Sequence, residues 1–527
     1  MDFEKQIVTS NNVIRQIMAL GRPQTQETTQ KLQDATRKLI GIFKADGRLD
    51  QSPMMLAMTR TVDLHRDAAA ARLEGRRVLV TGGLGCVGSR LIPLLVDLGV
   101  QSVAIVDIAD HPYKPDGGEK DGPQPTTYKV NICDTPALDA IFSTVKPHVV
   151  FHLAGVREPG RAEAVVRDAI ATNVFGTRNV IEACLRHDVE DAIYSSTGKC
   201  FAYVSDHVYT GSKKLAEAQW VDAGRRSTST HFRFTRFTHI MENGLVTQDI
   251  FDGVDAGMVT LHGPDRNFNI QNLRQATHLL INALALADET PPDGFWSAID
   301  LGWPVNTLEL ALYTIDRSGK LAGICFQGVP KGYDETFFRG QFGWDDGKEY
   351  HPLINALETL TTFHDRTGTM VGARIQNFDK RTLDSELGAL REALGDSRLE
   401  ADQVKGALLQ AVAGLARAIF LEADLSRLID ILWWGAAPTW AGENGREARR
   451  FQSVIRILTD VIAVRLSNDA PEAIDVEVLK KLEEVGQTLA LVDGLEQQHS
   501  MLQQVFAQQP WTAVMRGGGV HANRAGV

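Results

Sequence analysis

Residues 76–88, RRVLVTGGLGCVG, decide the fold of this chain. The run 76–80 is typical of a buried strand, and the apolar stretch 89–99 after the glycines is typical of a helix. Gly82, Gly85 and Gly88 permit a tight turn, the close approach of a pyrophosphate and close packing of the helix on the strand. Because N–H groups at a helix start attract anions, the stretch predicts the opening unit of a dinucleotide-binding domain.

Further predicted strands alternate with helix-length segments downstream of this opening. They cover residues 102–107, 127–130, 148–155, 191–196 and 231–237, and a late strand–helix pair covers 298–315. Such alternation predicts an α/β fold of the Rossmann type, with a doubly wound parallel sheet. The second strand ends at Asp107, whose carboxylate can accept hydrogen bonds from the adenosine ribose and would repel a 2′-phosphate. The sequence therefore favours NAD over NADP.

Composition excludes several classes of protein. The chain has 527 residues, with 55 Lys and Arg against 66 Asp and Glu, so its net charge is −11. Hydrophobic residues at 43% and charged residues at 23% are ordinary for a globular protein, and the acidic balance argues against a nucleic-acid partner. Five widely spaced cysteines without a CxxC pair, and histidines without HxH or HExxH spacing, predict no disulfide framework and no metal site. The sequence has no recognisable signal peptide or membrane span, so we expect a cytoplasmic protein.

A second group of residues carries the predicted chemistry. Strand 191–196 leads into Thr197 and Lys199, and Tyr209 and Lys213 open a predicted helix. Residues four apart on a helix share a face, so the Lys213 ammonium can lower the pKa of the Tyr209 phenol, which is about 10 in a free tyrosine. The Thr197 hydroxyl can bind the same substrate oxygen. Together they predict removal of a carbinol proton by Tyr209 while NAD accepts the hydride.

These motifs together resemble the extended short-chain dehydrogenase/reductase superfamily. More narrowly, they are similar to the NAD-dependent nucleotide-sugar epimerases and 4,6-dehydratases of the polysaccharide-biosynthesis type. The resemblance covers about residues 75–340 and rests on TGGLGCVG at 81–88, FHLAGVRE at 151–158, ATNVFGTRNVIEA at 171–183, SSTGK at 195–199, YTGSKKLAE at 209–217, RFTHI at 236–240 and GPDRNF at 263–268.

The resemblance implies that NAD oxidises C4 of a nucleotide-linked hexose to a keto sugar. The implied catalytic residues are Tyr209, Lys213, Thr197 and Lys199. The predicted cofactor-binding residues are Gly82, Gly85, Cys86, Val87, Gly88, Asp107, Asn131, Ile132, Leu153, Ala154, Gly155 and Lys213. The predicted substrate-binding residues are Arg266, the expected diphosphate partner, and His239. His152 is expected to be structural, and Asn173 to support the active-site strand.

Several positions depart from the family pattern, mostly on the substrate side. Gly198 stands where the family has an Asp, and glycine cannot protonate a departing hydroxide. The stretch 328–333 echoes the family's nucleotide clamp but lacks its Arg and its Glu. Epimerisation or oxidoreduction is therefore favoured over 4,6-dehydration. Lys199 remains open as a base, an anion binder or a solvated loop charge.

The chain is predicted to have an N-terminal helical region (1–74), a Rossmann core with a small substrate-binding subdomain (75–345), a C-terminal helical domain (346–510) and a flexible tail (511–527). The helical flanks could pack on the core, form a lid or build an oligomer interface, and we expect a homo-oligomer. Two other functions remain open: an oxidoreductase diverted to a non-sugar hydroxy substrate, and a catalytically silent NAD-binding scaffold.

Overall fold

The computed structural model describes residues 2–111, 113, 122–244, 246–345, 350–468 and 476–508. The predicted tail at 511–527 lies outside these ranges. The chain forms two compact units, each assembled from separate stretches. The first contains residues 1–198, 223–334 and 363–372, and the second contains 199–222, 335–362 and 373–527.

A nine-stranded sheet forms the centre of the first unit. Its strands, in chain order, are β1 (Arg77–Thr81), β2 (Ser102–Asp107), β3 (Thr126–Lys129), β4 (Val149–His152), β5 (Asp191–Thr197), β6 (His231–Phe237), β7 (Gly294–Ala298), β8 (Phe363–His364) and β9 (Met370–Arg374). The spatial order is β8-β9-β7-β6-β5-β4-β1-β2-β3. Strands β1 to β7 run parallel, and β8 pairs with β9 antiparallel. The order β3-β2-β1-β4-β5-β6 is that of a Rossmann sheet, so the predicted fold class is confirmed.

Burial explains why the sequences of these strands are apolar. The side chains of Val78, Leu79 and Val80 in β1 are fully buried, as expected for a strand covered on both faces. The register places Thr81, at the end of β1, opposite Val106 of β2 and His152 of β4. The carboxyl ends of these strands therefore share one edge, where ligands of such sheets bind.

Helices surround this sheet and fill the rest of the first unit. They are Asp2–Leu20, Gln26–Ala45, Met55–Thr59, Arg66–Leu73, Cys86–Asp97, Thr135–Val145, Pro159–Ala164, Val166–Ile170, the π-helix Ala171–Gly176, Thr177–Arg186, Met241–Asn243 (3₁₀), Thr247–Asp255, Leu273–Ala285 and Thr307–Ser318. Short strand pairs form a smaller subdomain from His239–Ile240 with Ile270–Gln271, Met258–Leu261 with Gly323–Phe326, and Asn267–Phe268 with Val305–Asn306.

The N-terminal helices share a hydrophobic core with that subdomain. Leu39 and Phe43, from Gln26–Ala45, are buried in one cluster with Leu312 and Ile324. The Thr36 hydroxyl accepts a hydrogen bond of 2.9 Å from the Ile324 N–H. Of the roles left open for this flank, packing on the core is the one observed.

The second unit is mainly helical. Its helices are Val208–Arg226, whose last four residues belong to the first unit, Lys380–Gly395, Ala401–Glu422, Leu425–Ala436, Pro438–Ala441, Arg446–Arg450, Gln452–Asn468, Val476–Leu489 and Glu496–Gln508, with 3₁₀ turns at Gly198–Phe201, Arg339–Gln341, Glu358–Thr361 and Glu443–Gly445. A common core contains Tyr203, Phe338, Phe420, Leu432 and Leu482.

Two details differ from the sequence prediction. The late strand was expected to begin at Ala298, but β7 ends there, because the buried run GFWSA at 294–298 forms the strand. The region 346–510 was expected to be helical, whereas β8 and β9 within it extend the sheet. The boundaries predicted at 74, 345 and 510 remain predictions, since compactness alone does not define a domain.

Candidate active site

The glycine-rich loop after β1 depends on the absence of side chains. Gly82 has φ +70°, and a Cβ there would lie 2.6 Å from the backbone nitrogen of Ala154. A Cβ on Gly88 would lie 2.2 Å from the carbonyl oxygen of Gly83. Any side chain would therefore push the loop off the neighbouring backbone. The structure thus brings the predicted cofactor segments 82–88 and 153–155 together.

Asp107 is hydrogen-bonded to the same loop. Its Oδ2 accepts from the Leu84 N–H at 3.0 Å, and its Oδ1 accepts from the Ala109 N–H at 3.0 Å. The helix Cys86–Asp97 begins directly after Gly85, which has no side chain to cap the first N–H groups. A helix start without a side-chain cap, close to the loop that Asp107 binds, is an arrangement that suits a dinucleotide, and the role of Asp107 toward the ribose remains a prediction.

The other predicted cofactor residues have mixed environments. Asn131 is exposed, and its side-chain oxygen accepts from the Cys133 N–H at 2.9 Å. Ile132 is a core residue at 3% exposure, and its carbonyl accepts from Asn179 at 3.0 Å. Leu153 is half-buried. The geometry leaves the cofactor role of each as a prediction.

Asn173 holds the loop after β4. Its side-chain oxygen accepts from the Val156 N–H at 2.8 Å, and its amide donates to the Val156 carbonyl at 3.1 Å. A Cβ on Gly155 would lie 2.9 Å from that side-chain oxygen. Asn173 lies in the π-helix 171–176, a form that often occurs at functional sites. These bonds fix the loop that contains Leu153, Ala154 and Gly155.

His152 links this loop to β1 through a chain of hydrogen bonds. Thr177 donates its hydroxyl to the Asn173 carbonyl at 2.8 Å, so its oxygen accepts from His152 Nε2 at 2.9 Å. The other ring nitrogen, Nδ1, is then the acceptor for the Thr81 hydroxyl at 2.7 Å. The imidazole is fully buried and both its nitrogens are engaged, which favours the structural role predicted for it.

Tyr209 and Lys213 lie on the helix Val208–Arg226 of the second unit. Tyr209 is half-buried and Lys213 is 8% exposed. Burial lowers the pKa of Lys213 to about 8, although the charges at Cys200 and Glu217 oppose the shift. At neutral pH the protonated form of Lys213 therefore still predominates. A charged ammonium is what would be needed to lower the pKa of the Tyr209 phenol.

Lys199 lies in the same unit as these two residues, whereas Thr197 ends β5 in the first unit. The Lys199 ammonium is 3.0 Å from Glu335 Oε2. The Thr210 hydroxyl donates to the same oxygen at 2.8 Å, and Ser205 donates to Oε1 at 2.6 Å. A nearly buried carboxylate thus ties Lys199 to the start of the Tyr209 helix.

The two predicted substrate residues lie in the first unit. Burial, with the nearby charge of Arg157, lowers the pKa of His239 to about 4, so the ring is neutral at physiological pH. Its ring makes an edge contact with Phe268, with 5.2 Å between centroids. Arg266 is half-buried, and its charge adds to burial in lowering the pKa of His262.

The segment predicted as a depleted nucleotide clamp packs on the helix Pro159–Ala164. A Cβ on Gly160 would lie 2.8 Å from the ring of Tyr333. The Lys331 ammonium lies 3.9 Å from Glu163. The loss of a nucleotide clamp in this segment remains a prediction.

The family model described as "Polysaccharide biosynthesis protein" matches residues 78–324, just under half of the chain. The predicted resemblance to polysaccharide biosynthesis proteins is confirmed.

Curated relatives of this polysaccharide-biosynthesis segment are distant. An uncharacterized membrane protein of Methanocaldococcus jannaschii is 28% identical over 223 residues, or 41% of this chain and 64% of the relative. The probable polysaccharide biosynthesis protein EpsC of Bacillus subtilis is 26% identical over 316 residues, or 58% of this chain and 52% of the relative. The chain thus spans between half and two thirds of the length of these relatives. Among solved structures, Pen from Bacillus thuringiensis is 18% identical with a TM-score of 0.47, covering 57% of this chain and 87% of that chain.

One helix outside the polysaccharide-biosynthesis segment bears on the expected absence of a membrane span. Within the described ranges, Ala401–Glu422 is long and apolar enough to cross a membrane, and half of its most apolar window is buried in the structure. The core helix of a globular protein passes the same test. A Cβ on Gly211 of the Tyr209 helix would lie 3.3 Å from Leu408 in this helix, so the two helices are in contact.

Sequence reasoning missed two residues near the candidate site. Arg157 lies close to Cys86 and His239, since its charge acts on the pKa of both. Its position just after the loop 153–155 was the available signal. Glu335 had no such signal, because it follows the clamp segment and meets Lys199 only in the folded chain.

Proposed function

We propose that this protein is an NAD-dependent enzyme that oxidises a carbinol of a nucleotide-activated sugar to a transient keto intermediate. The observation that carries the proposal is the pair Tyr209 and Lys213, four residues apart on one helix, with the lysine buried yet still mainly protonated near neutral pH. A surface helix pair would have no reason to bury its ammonium at a cost in desolvation. The glycine loop and Asp107 in the first unit support the cofactor assignment.

Each residue has a defined part in this proposal. NAD, when bound, supplies the acceptor for the hydride that leaves the carbinol carbon. Gly82, Gly85 and Gly88 leave room for its diphosphate, and Asp107 would hold the adenosine ribose. Tyr209 removes the hydroxyl proton, Lys213 stabilises the resulting phenolate, and Thr197 orients the substrate oxygen.

Epimerisation or net oxidoreduction is favoured over 4,6-dehydration, because Gly198 offers no acid for a departing hydroxide. The nucleotide would be bound with the help of Arg266 and a neutral His239. The loss of both charged clamp residues favours one alternative, a non-sugar hydroxy substrate. We propose a cytoplasmic enzyme that forms a homo-oligomer.

A Tyr209→Phe variant tests the proposal. Loss of a general base costs about 10²- to 10⁴-fold, so turnover should fall by that factor while the variant keeps its bound NAD and its melting temperature. Tyr313→Phe is the matched control, because Tyr313 lies half-buried on a helix outside the site.

Turnover is followed by mass spectrometry on a panel of UDP- and dTDP-hexoses. Loss of water would indicate dehydration, and an isomer of unchanged mass would indicate epimerisation. Normal turnover by Tyr209→Phe would contradict the enzyme proposal, and NAD binding without turnover of any sugar or hydroxy acid would favour the scaffold.

A further inference from the structure

A cavity lies at the carboxyl end of β7, within the first unit. Its volume is about 480 Å³, which is in the range of small-molecule sites. Residues from three stretches line it: 56–61, 299–303 and 368–369. In the sheet, β4, β5 and β6 separate β7 from β1. With about 4.8 Å between neighbouring strands, the ends of β7 and β1 lie about 19 Å apart, so the cavity is distinct from the glycine-rich loop.

Hydrogen bonds between these stretches hold the walls of the cavity in place. The Ile299 N–H donates to the Thr369 carbonyl at 3.1 Å, and the Asp63 N–H donates to the Thr369 hydroxyl oxygen at 3.1 Å. Arg60 donates from Nη1 to the Leu301 carbonyl. Because the walls are already fixed, little ordering of the protein would oppose binding of a ligand.

Trp303 lies at this cavity with little support from the fold. It is 89% exposed, and no hydrogen bond or ring contact joins it to another residue that the structure describes. The turn before it requires Gly302, which has φ +57° and whose Cβ would collide with the Arg60 guanidinium. An indole that packs on so little adds almost nothing to stability, but its exposed face can bind a ligand.

The polar groups of the cavity are mixed, and its two charges compensate each other. Arg60 Nε lies 3.7 Å from Asp300 Oδ1, which also accepts from the Gly302 N–H at 2.9 Å. Four polar groups have no hydrogen-bond partner within the described ranges: Asp300 Oδ2, Arg60 Nη2, the Thr61 hydroxyl and Trp303 Nε1. The cavity therefore offers both donors and acceptors to a ligand without offering a net charge.

We propose that this cavity is a second binding site, which takes the ring of a neutral saccharide. A sugar ring has an apolar C–H face, which suits the exposed indole of Trp303 and the side chains of Leu56 and Ile299. Sugar hydroxyls both donate and accept hydrogen bonds, so they match the mixed set of polar groups. The site goes beyond the proposed function, because it has no part in carbinol oxidation.

Other classes of ligand suit this lining less well. An anion would gain little from Arg60, because Asp300 already compensates its charge. A nucleobase is flat, whereas a single indole with aliphatic and threonine side chains suits a puckered ring. A lipid surface would have to remove water from the Asp300 carboxylate, which is costly.

Two variants of the cavity test the site. Trp303→Ala removes the indole and should leave the melting temperature unchanged, because so little packs on this side chain. Asp300→Asn keeps the shape of the side chain but replaces one acceptor oxygen with a donor. Trp344→Ala is the matched control, since Trp344 is a tryptophan of the second unit that is 41% exposed. His239→Ala alters the candidate substrate site instead.

Binding to the full-length protein is measured by saturation-transfer NMR titration. Glucose, galactose and N-acetylglucosamine are the neutral probes, and glucuronate and uridine test an anionic sugar and a nucleoside. We expect at least one neutral sugar to bind the wild type with a millimolar dissociation constant. Trp303→Ala should raise that constant by about tenfold or more, and Asp300→Asn by about threefold to tenfold. Trp344→Ala and His239→Ala should leave it within about twofold of the wild-type value.

Absence of binding by every neutral sugar would overturn the inference, and so would tighter binding of glucuronate or uridine than of any neutral sugar. Wild-type affinity in Trp303→Ala would also overturn it. A loss of binding confined to Trp344→Ala or His239→Ala would show that the sugar binds elsewhere, with the same consequence. These outcomes are separate from failure of the proposed function, which Tyr209→Phe tests through turnover.

Discussion

The backbone N–H of Leu84 donates to the carboxylate of Asp107 at 3.0 Å, so a side-chain hydrogen bond helps to hold the glycine-rich loop to the end of the second strand. The carboxylate that is expected to select the cofactor is therefore also a support of the loop. Its charge and its hydrogen-bonding capacity can be separated by substitution.

Asp107→Asn removes the charge and keeps an oxygen that can accept from Leu84 or Ala109. Because the repulsion of a 2′-phosphate is lost, the ratio of the NADP to the NAD dissociation constant should fall by about tenfold, or about 1.4 kcal/mol. Fluorescence titration of each dinucleotide measures this ratio. Asp110→Asn, which alters an exposed carboxylate paired with Lys129, should leave it unchanged. A ratio that did not move in Asp107→Asn would remove this residue from cofactor selection.

Gly88→Ala and Gly388→Ala are a matched pair of helical substitutions with opposite expected signs. A Cβ at 88 would lie 2.2 Å from the Gly83 carbonyl oxygen, whereas a Cβ at 388 meets nothing within 4 Å. Gly88→Ala should lower the free energy of unfolding by about 1–3 kcal/mol and weaken NAD binding. Gly388→Ala should raise it by up to about 1 kcal/mol, because alanine favours a helix. Denaturant titration measures both, and equal signs would contradict the prediction.

Thr177→Val breaks the hydrogen-bond chain through His152. The His152 Nε2–H would lose its acceptor in a fully buried place, which costs about 1–3 kcal/mol. Thr144→Val removes an equivalent hydroxyl bond to the backbone, from Thr144 to the Ala140 carbonyl, at an exposed position and should cost less than about 0.5 kcal/mol. Thermal unfolding of the two variants tests the difference. Equal losses of stability in the two variants would show that the buried hydrogen bonds through His152 contribute no more than an exposed one.

The buried Lys213 should make stability depend on pH in a defined direction. Its pKa is about 8 in the folded chain and 10.5 as the reference for an exposed lysine. Between these values the unfolded chain binds more protons, so the free energy of unfolding rises with pH by about 3 kcal/mol over the interval. Below pH 8 both states hold the proton and the full cost of burying it is present.

Lys213→Met should lack this rise, whereas Lys331→Met, which removes a lysine whose side chain is 62% exposed, should keep it. The comparison needs only the difference between each variant and the wild type in urea titrations at several pH values. A rise of the same size in Lys213→Met would assign the pH dependence to another group.

The sequence was sufficient for the parts of the fold that rest on local pattern. The run 76–88 and the strands up to β6 follow from buried β-branched residues and glycine spacing, and the strand bounds in the structure agree with the predicted ones to within three residues. β8 and β9 were missed because two and five residues give no clear period, and their place in the sheet depends on pairing with distant chain. The same reason hid Glu335, whose meeting with Lys199 spans 136 positions of sequence.

In the candidate site, too, local features could be predicted from the sequence and features that depend on folding could not. Asp107, the glycine loop and the Tyr209–Lys213 spacing could be found from motifs, since each is local. The depressed pKa of Lys213 and the neutral state of His239 could not, because both arise mainly from burial in the folded chain. Their roles in binding and catalysis are still predictions that the experiments above would test.

The path of the chain through its two compact units has a consequence for synthesis. Residues 199–222 are synthesised early but belong to the same unit as the helices that follow residue 373. The last stretch of the first unit, residues 363–372, is synthesised only after residues 335–362 of the second unit. As the ribosome proceeds from the amino end, neither unit can mature until most of the polypeptide has emerged. A fragment trimmed to residues 78–324 would lack Leu408, against which Gly211 packs, and so would carry the tyrosine helix without its natural support.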